Sequence, residues 1–190
     1  MSKVQLQGNA SGTGIFTIAS PNSNTDRTLT LPNSTGTLLN DSTTLSKSLM
    51  PSGTVIQVAT AAFSTNTSWT GTNIYLGLQA TLTPTSASSR IFAIATIQCA
   101  TSGTGRIQFF FRYNTTSGDN SGTQTGDMYV AQPATASTTQ LMCASLNTVF
   151  TAGTTSPLYV KLCSTKHDGG TGYVNSIGDE VCITIMEIAP

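Results

Sequence analysis

The amino-acid sequence predicts an all-β protein, and two observations lead to that prediction. Short runs of apolar residues alternate with polar ones between clusters of turn-forming residues, whereas the i, i+3, i+4, i+7 spacing of an amphipathic helix is nearly absent. Charged residues make up only 8% of the 190 residues, against about 25% in a typical soluble domain, and Ser and Thr replace them. Because threonine favours strands and its hydroxyl is readily solvated, this composition indicates a β-sheet exterior.

The first 50 residues carry two short strand-like pieces, GIFTIAS (14–20) and RTLTLP (27–32). Two strands alone are marginally stable in water, so their apolar faces need a partner, which is either the rest of the chain or identical chains. The segment LLNDSTTLSKSLMPSG (38–53) has no strong periodicity, which indicates a linker or a docking segment. We therefore divide the chain into residues 1–50 and a head domain, residues 51–190.

The head domain contains eight runs that the sequence predicts as strands. Their spacing fits an antiparallel, jelly-roll-like β-sandwich. Burial of each Phe, Ile or Val side chain contributes about 1.5–3 kcal/mol, which is enough for such a domain to fold. The runs are VIQVATAAF (55–63), NIYLGLQATL (73–82), RIFAIATIQCA (90–100), RIQFFFRY (106–113), GDMYVAQ (126–132), TTQLMCASLNTVF (138–150), PLYVKLC (157–163) and EVCITIMEI (180–188).

Alternation within these runs predicts which face of each strand is buried. In residues 106–113 the odd-numbered positions from Ile107 to Tyr113 are apolar, whereas Gln108 and Arg112 lie on the other face. In residues 180–188 the odd positions 181, 183 and 185 are Val, Ile and Ile, and we expect them to face the core. Residues 90–100 begin apolar on both faces, which predicts a central strand, or one that faces both a core and a neighbouring subunit.

Charge and hydropathy exclude several classes of function. The net charge is +0 with scattered basic residues, which argues against nucleic acid as a partner because phosphate binding needs clustered Lys and Arg. The chain has no apolar run of 18 or more residues, so no transmembrane helix is predicted. MSKVQLQGNASG lacks the apolar region of a secretory signal, so we expect synthesis and folding in a cytoplasm.

The cysteines are separated by 44, 20 and 19 residues, which is not the spacing of a zinc site. We expect them to be reduced and to act as small core hydrophobes. The alternative is a disulfide between neighbouring strands, if the mature protein meets an oxidising medium. They are Cys99, Cys143, Cys163 and Cys182.

Several segments resemble tail fibres and other virion appendages of tailed bacteriophages. The opening segment GTGIFTIASPNSNTDRTLTLPNSTGTLL and the closing ITIMEIAP carry the resemblance most specifically, whereas residues 114–128 and 164–172 depart from the pattern. The other matching pieces are MPSGTVIQVATAAF, TLTPTSASSRIFAIATI, AQPATASTTQL and GYVNSIGDEVCITIMEIAP.

The resemblance implies a homotrimeric fibre or spike located in the virion. Residues 1–50 would be its virion-anchoring and shaft segment, bound to tail, baseplate or capsid proteins, and the head would contact a host-surface glycan or outer-membrane component. One alternative is that residues 14–32 pack as a hairpin on their own head; another is a head fibre or decoration protein with a purely structural role. The expected shaft and trimer contacts are Ile15, Ile18, Leu29, Leu31 and Leu38.

Polar loops are the expected sites of receptor binding, because loops on a rigid β scaffold commonly carry recognition. Trp69, the only tryptophan, lies in STNTSWTGTN and could stack on a sugar ring or fold inward over the edge of the sandwich. The loop 114–127 is rich in hydrogen-bonding residues, and a plain solvated loop is its alternative. Predicted receptor-binding residues are Trp69, Asn114, Asp119, Asn120, Lys166, His167 and Asp168.

Catalysis and metal binding have little support in the sequence. His167, the only histidine, lies in the glycine-rich TKHDGGTG beside Lys166 and Asp168, and nothing marks a nucleophile for it. Glycoside cleavage needs two positioned carboxylates, and the eight acidic residues suggest no such pair. One histidine per chain could hold a metal only on a trimer axis. We therefore expect a protein without enzymatic activity, metal or cofactor.

Overall fold

The structure is a computed structural model, and the chain divides into two compact units, Met1–Ser42 and Thr43–Pro190. In the first unit, the described residues form no helix or strand, and the side chain of Ile15 is 92% exposed. Four of the predicted shaft contacts, Ile18, Leu29, Leu31 and Leu38, lie outside the described residues. The structure describes residues 10–15, 17, 19, 22–26, 28, 50–102, 105–132, 140–175 and 180–190.

The second unit is all β, and its described residues include no helix, hence none that could span a membrane. The strands described are β1 (Val55–Phe63), β2 (Thr67–Trp69), β3 (Ile74–Leu82), β4 (Arg90–Thr101), β5 (Gly105–Asn114), β6 (Thr123–Gln132), β7 (Gln140–Thr151), β8 (Leu158–Lys166), β9 (Gly172–Val174) and β10 (Val181–Ile188).

All eight predicted strands are present, as β1, β3 to β8 and β10. The sequence did not predict β2 and β9. Each has three residues, Thr67–Trp69 and Gly172–Val174, and they pair with each other. Three residues are too few to establish an alternating pattern, and turn-forming residues surround both segments.

The strands form two antiparallel sheets. In the larger sheet, β4 pairs with β7 along one edge, whereas β10 and β9 pair with successive parts of its other edge. Strand β1 then pairs with β10, and β2 with β9. The smaller sheet has the order β3-β8-β5-β6. The predicted central position of residues 90–100 is therefore confirmed.

The two sheets share one hydrophobic core. The inward residues of β5 and β10 are those that the alternation predicted, since Ile107, Phe109 and Ile183 are fully buried. Between the sheets, the ring of Tyr113 stacks on that of Phe150 with centroids 3.9 Å apart. Such aromatic pairs add about 0.5–1.5 kcal/mol beyond the burial of their area.

A β-bulge in β6 decides which of its side chains face outward. Phe110 pairs with Asp127 and Phe111 with Thr125, so that Gly126 is the extra residue. Its φ of +60° is left-handed, and an added Cβ would lie 3.0 Å from Cβ of Thr148 in β7. Glycine therefore allows the smaller sheet to approach the larger one at this edge.

The prediction that the cysteines are reduced core residues is correct for only part of the set. All four are unpaired; Cys99 and Cys163 are buried, and burial raises the pKa of each thiol to about 12. Cys143, in contrast, is exposed and Cys182 is half-buried. The reason is strand parity, because Leu146 of β7 faces the core and Cys143, three positions away, faces outward.

Candidate functional site

Trp69 is a core residue rather than a surface platform. It ends β2, its side chain is 5% exposed, and its ring packs edge-on against Phe109 with centroids 6.1 Å apart. Gly172 of β9 lies opposite, and only its missing side chain leaves room for the indole. Receptor stacking on Trp69 does not fit this position, whereas the inward-folded alternative does.

A buried lysine of β8 fixes the position of the loop after β5. Lys161 of β8 is fully buried, and its Nζ donates to Oδ1 of Asn114 at 2.8 Å and to Oδ1 of Asp119. This bond to Lys161, with a further one from Ser121, lowers the pKa of Asp119 to about 2. Asn114 and Asp119, predicted to bind receptor, thus use these oxygens to fix the loop.

Further hydrogen bonds order the tip of the same loop. The side chain of Gln79 in β3 donates to Oγ of Ser117 at 2.8 Å and accepts from the backbone N–H of Gly118 at 3.0 Å. Asn120 is exposed beside them. The segment is therefore a fixed surface feature in which Asn120 is the predicted residue most accessible to a ligand.

The three predicted residues at the end of β8, Lys166, His167 and Asp168, have different roles. Lys166 is 5% exposed and its Nζ donates to the carbonyl of His167 at 2.8 Å, while burial lowers the pKa of this amine. Asp168 forms an ion pair with Arg106 of β5 at 3.1 Å, with both side chains more than half exposed. Lys166 is consequently a buried structural residue, and a receptor contact through it does not fit its position.

His167 joins a chain of polar side chains on the outer face of the smaller sheet. Its Nε2 lies 3.2 Å from Oε1 of Gln108, whose Nε2 donates to Oδ1 of Asp127 at 3.2 Å. Gln124 donates to the same oxygen at 3.0 Å. Tyr129 lies beside this chain, 55% exposed, with its ring centroid 5.9 Å from that of His167. We call these five residues the Tyr129 patch.

The structure brings one predicted residue, His167, into this patch and separates the predicted residues of the loop after β5 from it. Gln108 and Asn114 are six positions apart in β5, about 20 Å along the strand, so the loop held by Lys161 is a different surface region. Sequence reasoning missed Gln108, Gln124, Asp127 and Tyr129. These four residues occupy outward positions of β5 and β6. Recognising them as one site requires knowing that Gln108 pairs with Tyr129.

The chemistry available in the Tyr129 patch is hydrogen bonding and ring stacking. It contains a single carboxylate, that of Asp127, and among the residues that the structure describes no hydroxyl is bonded to His167. Within the described part of the chain, no group of three or more His, Cys, Asp or Glu residues is placed to hold a metal ion.

Comparisons with known proteins give little further information. No family model matches the chain, and no curated protein sequence matches it. Among solved structures, it is similar to the crystal structure of the infectious bursal disease virus VP2 subviral particle, with 15% sequence identity and a TM-score of 0.33. That similarity covers 72% of this chain and 39% of the VP2 chain.

Proposed function

We propose that the chain is a non-enzymatic virion appendage of a bacteriophage, a tail fibre or a comparable spike, whose head binds a polar glycan of the host surface. The resemblance of residues 12–39 and of the closing ITIMEIAP to phage fibres supports the virion assignment. The observation that carries glycan binding is the exposed ring of Tyr129, which lies beside the side-chain amide of Gln108 and the carboxylate of Asp127.

This set of groups suits a sugar because it joins an apolar ring to polar hydrogen-bonding partners. An exposed tyrosine ring can cover the C–H face of a pyranose, and its hydroxyl remains a hydrogen-bonding group. The amides and the carboxylate supply both donors and acceptors. Gln108 and Tyr129 lie on paired strands, which hold their positions more precisely than loops would.

The strand order supports a jelly-roll sandwich as the finer description of the head. Without the short β2 and β9, the sheets read β1-β10-β4-β7 and β3-β8-β5-β6, which is the order of an eight-stranded jelly roll. In the proposed protein, three such heads follow a shaft formed by residues 1–50, which also binds the virion. Three copies of a weak site would then bind a surface through avidity.

A glycan array with the full chain tests the proposal. Selective binding that is lost in Tyr129→Ala and weakened in Gln108→Ala is expected. Tyr159→Ala is the matched control, because Tyr159 is a half-buried tyrosine of β8 in the same sheet. Equal binding by wild type and Tyr129→Ala would refute the assignment to this patch, and turnover of a bacterial polysaccharide would refute the non-enzymatic function.

A second candidate is a head fibre or decoration protein with a purely structural role. The burial of Trp69, Lys161 and Lys166 favours it, because their functional groups contact the protein interior and are not accessible to a receptor. A folded protein that binds no glycan on the array would support this candidate over the first.

A further inference from the structure

Only one oxygen of the Asp127 carboxylate is engaged within the protein. Its Oδ1 accepts a hydrogen bond from Nε2 of Gln108 at 3.2 Å and another from Nε2 of Gln124 at 3.0 Å. In the described part of the chain Asp127 has no further hydrogen bond, and its side chain is exposed. Because a carboxylate has about four acceptor sites, Oδ2 is open to a ligand.

The direction of the Gln108 amide is fixed by its two neighbours. A carboxylate only accepts, so the Gln108 atom that faces Asp127 is the donor Nε2. The carbonyl Oε1 then faces Nε2 of His167 at 3.2 Å, and this ring nitrogen carries the proton of the bond. Side-chain amides, rather than a cation, therefore hold the carboxylate in place.

Tyr129 lies between two charged positions on the outer face of the smaller sheet. Asp127 is two positions before it in β6, about 7 Å along the strand. Ala131 is two positions after it and pairs with Arg106 of β5, which makes Arg106 a diagonal neighbour of Tyr129. A sugar ring on Tyr129 is therefore within reach of a carboxylate on one side and a guanidinium on the other.

The two charges differ in what balances them. Nε of Arg106 lies 3.1 Å from Oδ2 of Asp168, so this cation is already paired. Asp127 takes part in no ion pair among the residues that the structure describes. Arg112 lies beyond Asp127, on the side away from Tyr129, where it donates to a backbone carbonyl at 3.3 Å. The unpaired charge nearest to Tyr129 is therefore negative.

A charged acceptor at this position distinguishes sugars by the groups that they present to it. A neutral sugar presents hydroxyl groups, which donate to the free oxygen in charge-assisted bonds that are roughly twice as strong as neutral ones. An acidic sugar presents acceptor oxygens that carry the same sign of charge. Two like charges about 4 Å apart at a partly solvated surface lower the affinity by about tenfold.

We propose that Asp127 is the specificity-determining residue of the Tyr129 patch and that it selects neutral glycans over acidic ones. The inference rests on the glycan binding proposed above and names the class of sugar that the site takes. The ring of Tyr129 stacks on either class, whereas Oδ2 of Asp127 separates them, because only hydroxyl groups donate to it.

Ligand-observed NMR of the full chain tests the inference with matched pairs of methyl glycosides, at about pH 8, where imidazoles are uncharged. The probes are methyl glucoside, galactoside and mannoside, each with the methyl uronide in which C6 is a carboxylate. We expect the wild type to bind at least one neutral member about tenfold more tightly than its uronide. This ratio should fall in about 1 M salt, where the screening length is about 3 Å.

Asp127→Asn isolates the charge. The new side chain keeps an oxygen that can accept from both glutamines and places an NH₂ group where Oδ2 was. We expect the ratio to fall to within about twofold, because the repulsion is removed while Tyr129 still stacks. Glu180→Gln is the matched control, because it removes one negative charge at an exposed position before β10 of the larger sheet and should leave the ratio unchanged. Circular dichroism shows whether each variant is folded.

Two results would overturn the role of Asp127 and leave the proposed function intact. One is binding of the uronides that equals or exceeds that of the neutral members in the wild type. The other is a folded Asp127→Asn variant that keeps the wild-type ratio. If neither class binds by NMR or on the array, or if Tyr129→Ala binds as the wild type does, the glycan site itself is refuted and this inference with it.

Discussion

Gly172→Ala should destabilise the head through one steric clash, between the new Cβ and the ring of Trp69. A Cβ at this position would lie 2.7 Å from Cζ2 and 2.8 Å from Cε2 of Trp69, whereas ordinary contacts begin near 3.4 Å. The ring would have to move by more than half an ångström, but it is 5% exposed and packs against Phe109. Overpacking of this kind costs about 1–3 kcal/mol.

The melting temperature gives a direct measure of this cost. In a domain of this size 1 kcal/mol corresponds to about 2–4 °C, so Gly172→Ala should lower the melting temperature by about 2–12 °C. Gly71→Ala is the matched control. Gly71 lies two residues after Trp69, and a Cβ at this position would meet only the flexible end of Ile74 at 3.3 Å. It should cost less than Gly172→Ala.

A double-mutant cycle tests the cause. Trp69→Phe removes most of the indole atoms that Gly172 faces, so Gly172→Ala should cost less in the Trp69→Phe background than in the wild type. We expect a coupling of about 0.5–3 kcal/mol, as for residues in contact. Unfolding is followed by far-UV circular dichroism because Trp69→Phe has no tryptophan. Equal costs in both backgrounds would refute the steric argument.

Three further predictions follow from buried groups. Because Trp69 is buried, its fluorescence should resist acrylamide quenching in the folded protein and become quenchable on unfolding; quenching or a spectral shift caused by a glycan alone would contradict this. Burial alone would raise the pKa of Glu187, but hydrogen bonds from Thr85 and Gln57 hold it below the usual value. The folded protein thus binds a proton at Glu187 less readily than the unfolded chain does. The contribution of Glu187 to the free energy of unfolding should therefore be constant above about pH 5 and decrease as the pH falls through the folded pKa. Urea titrations should find a weaker decrease in Glu187→Gln. Lys161→Met should release the loop at 115–122, which limited proteolysis would detect as cleavage there roughly tenfold faster; unchanged cleavage would show that Lys161 does not hold the loop.

The fold was largely predictable because the head strands follow simple alternation. Residues 181, 183 and 185 face the core in the structure as in the pattern, and the doubly apolar 90–100 is central. What the pattern could not give was pairing between distant segments. The three-residue strand containing Trp69 pairs with the one containing Gly172, which in turn pairs with β4, and neither strand can be recognised without these distant partners.

The candidate site was less predictable because side-chain direction depends on irregularities. In β6 the extra residue Gly126 reverses the alternation, so that Gln124 and Asp127, three positions apart, bond to each other on one surface. The sequence also shows Lys161 only as a charge within an apolar run. Its role depends on Asp119, which lies 42 positions away in the chain and meets it only after β5 and β8 have paired.

The position of β10 between β1 and β4 has a consequence for biosynthesis. The hydroxyls of Thr60 and Thr184 lie 3.2 Å apart in neighbouring strands, yet the two residues are 124 positions apart in the chain. At 5–20 residues per second, a ribosome needs about 6–25 s to deliver the partner that β1 requires. During that interval β1 lacks its partner strand β10. A ribosome-associated chaperone that shields nascent strands should therefore raise the yield of correctly folded head. The larger sheet is therefore completed only after the end of β10 has left the exit tunnel.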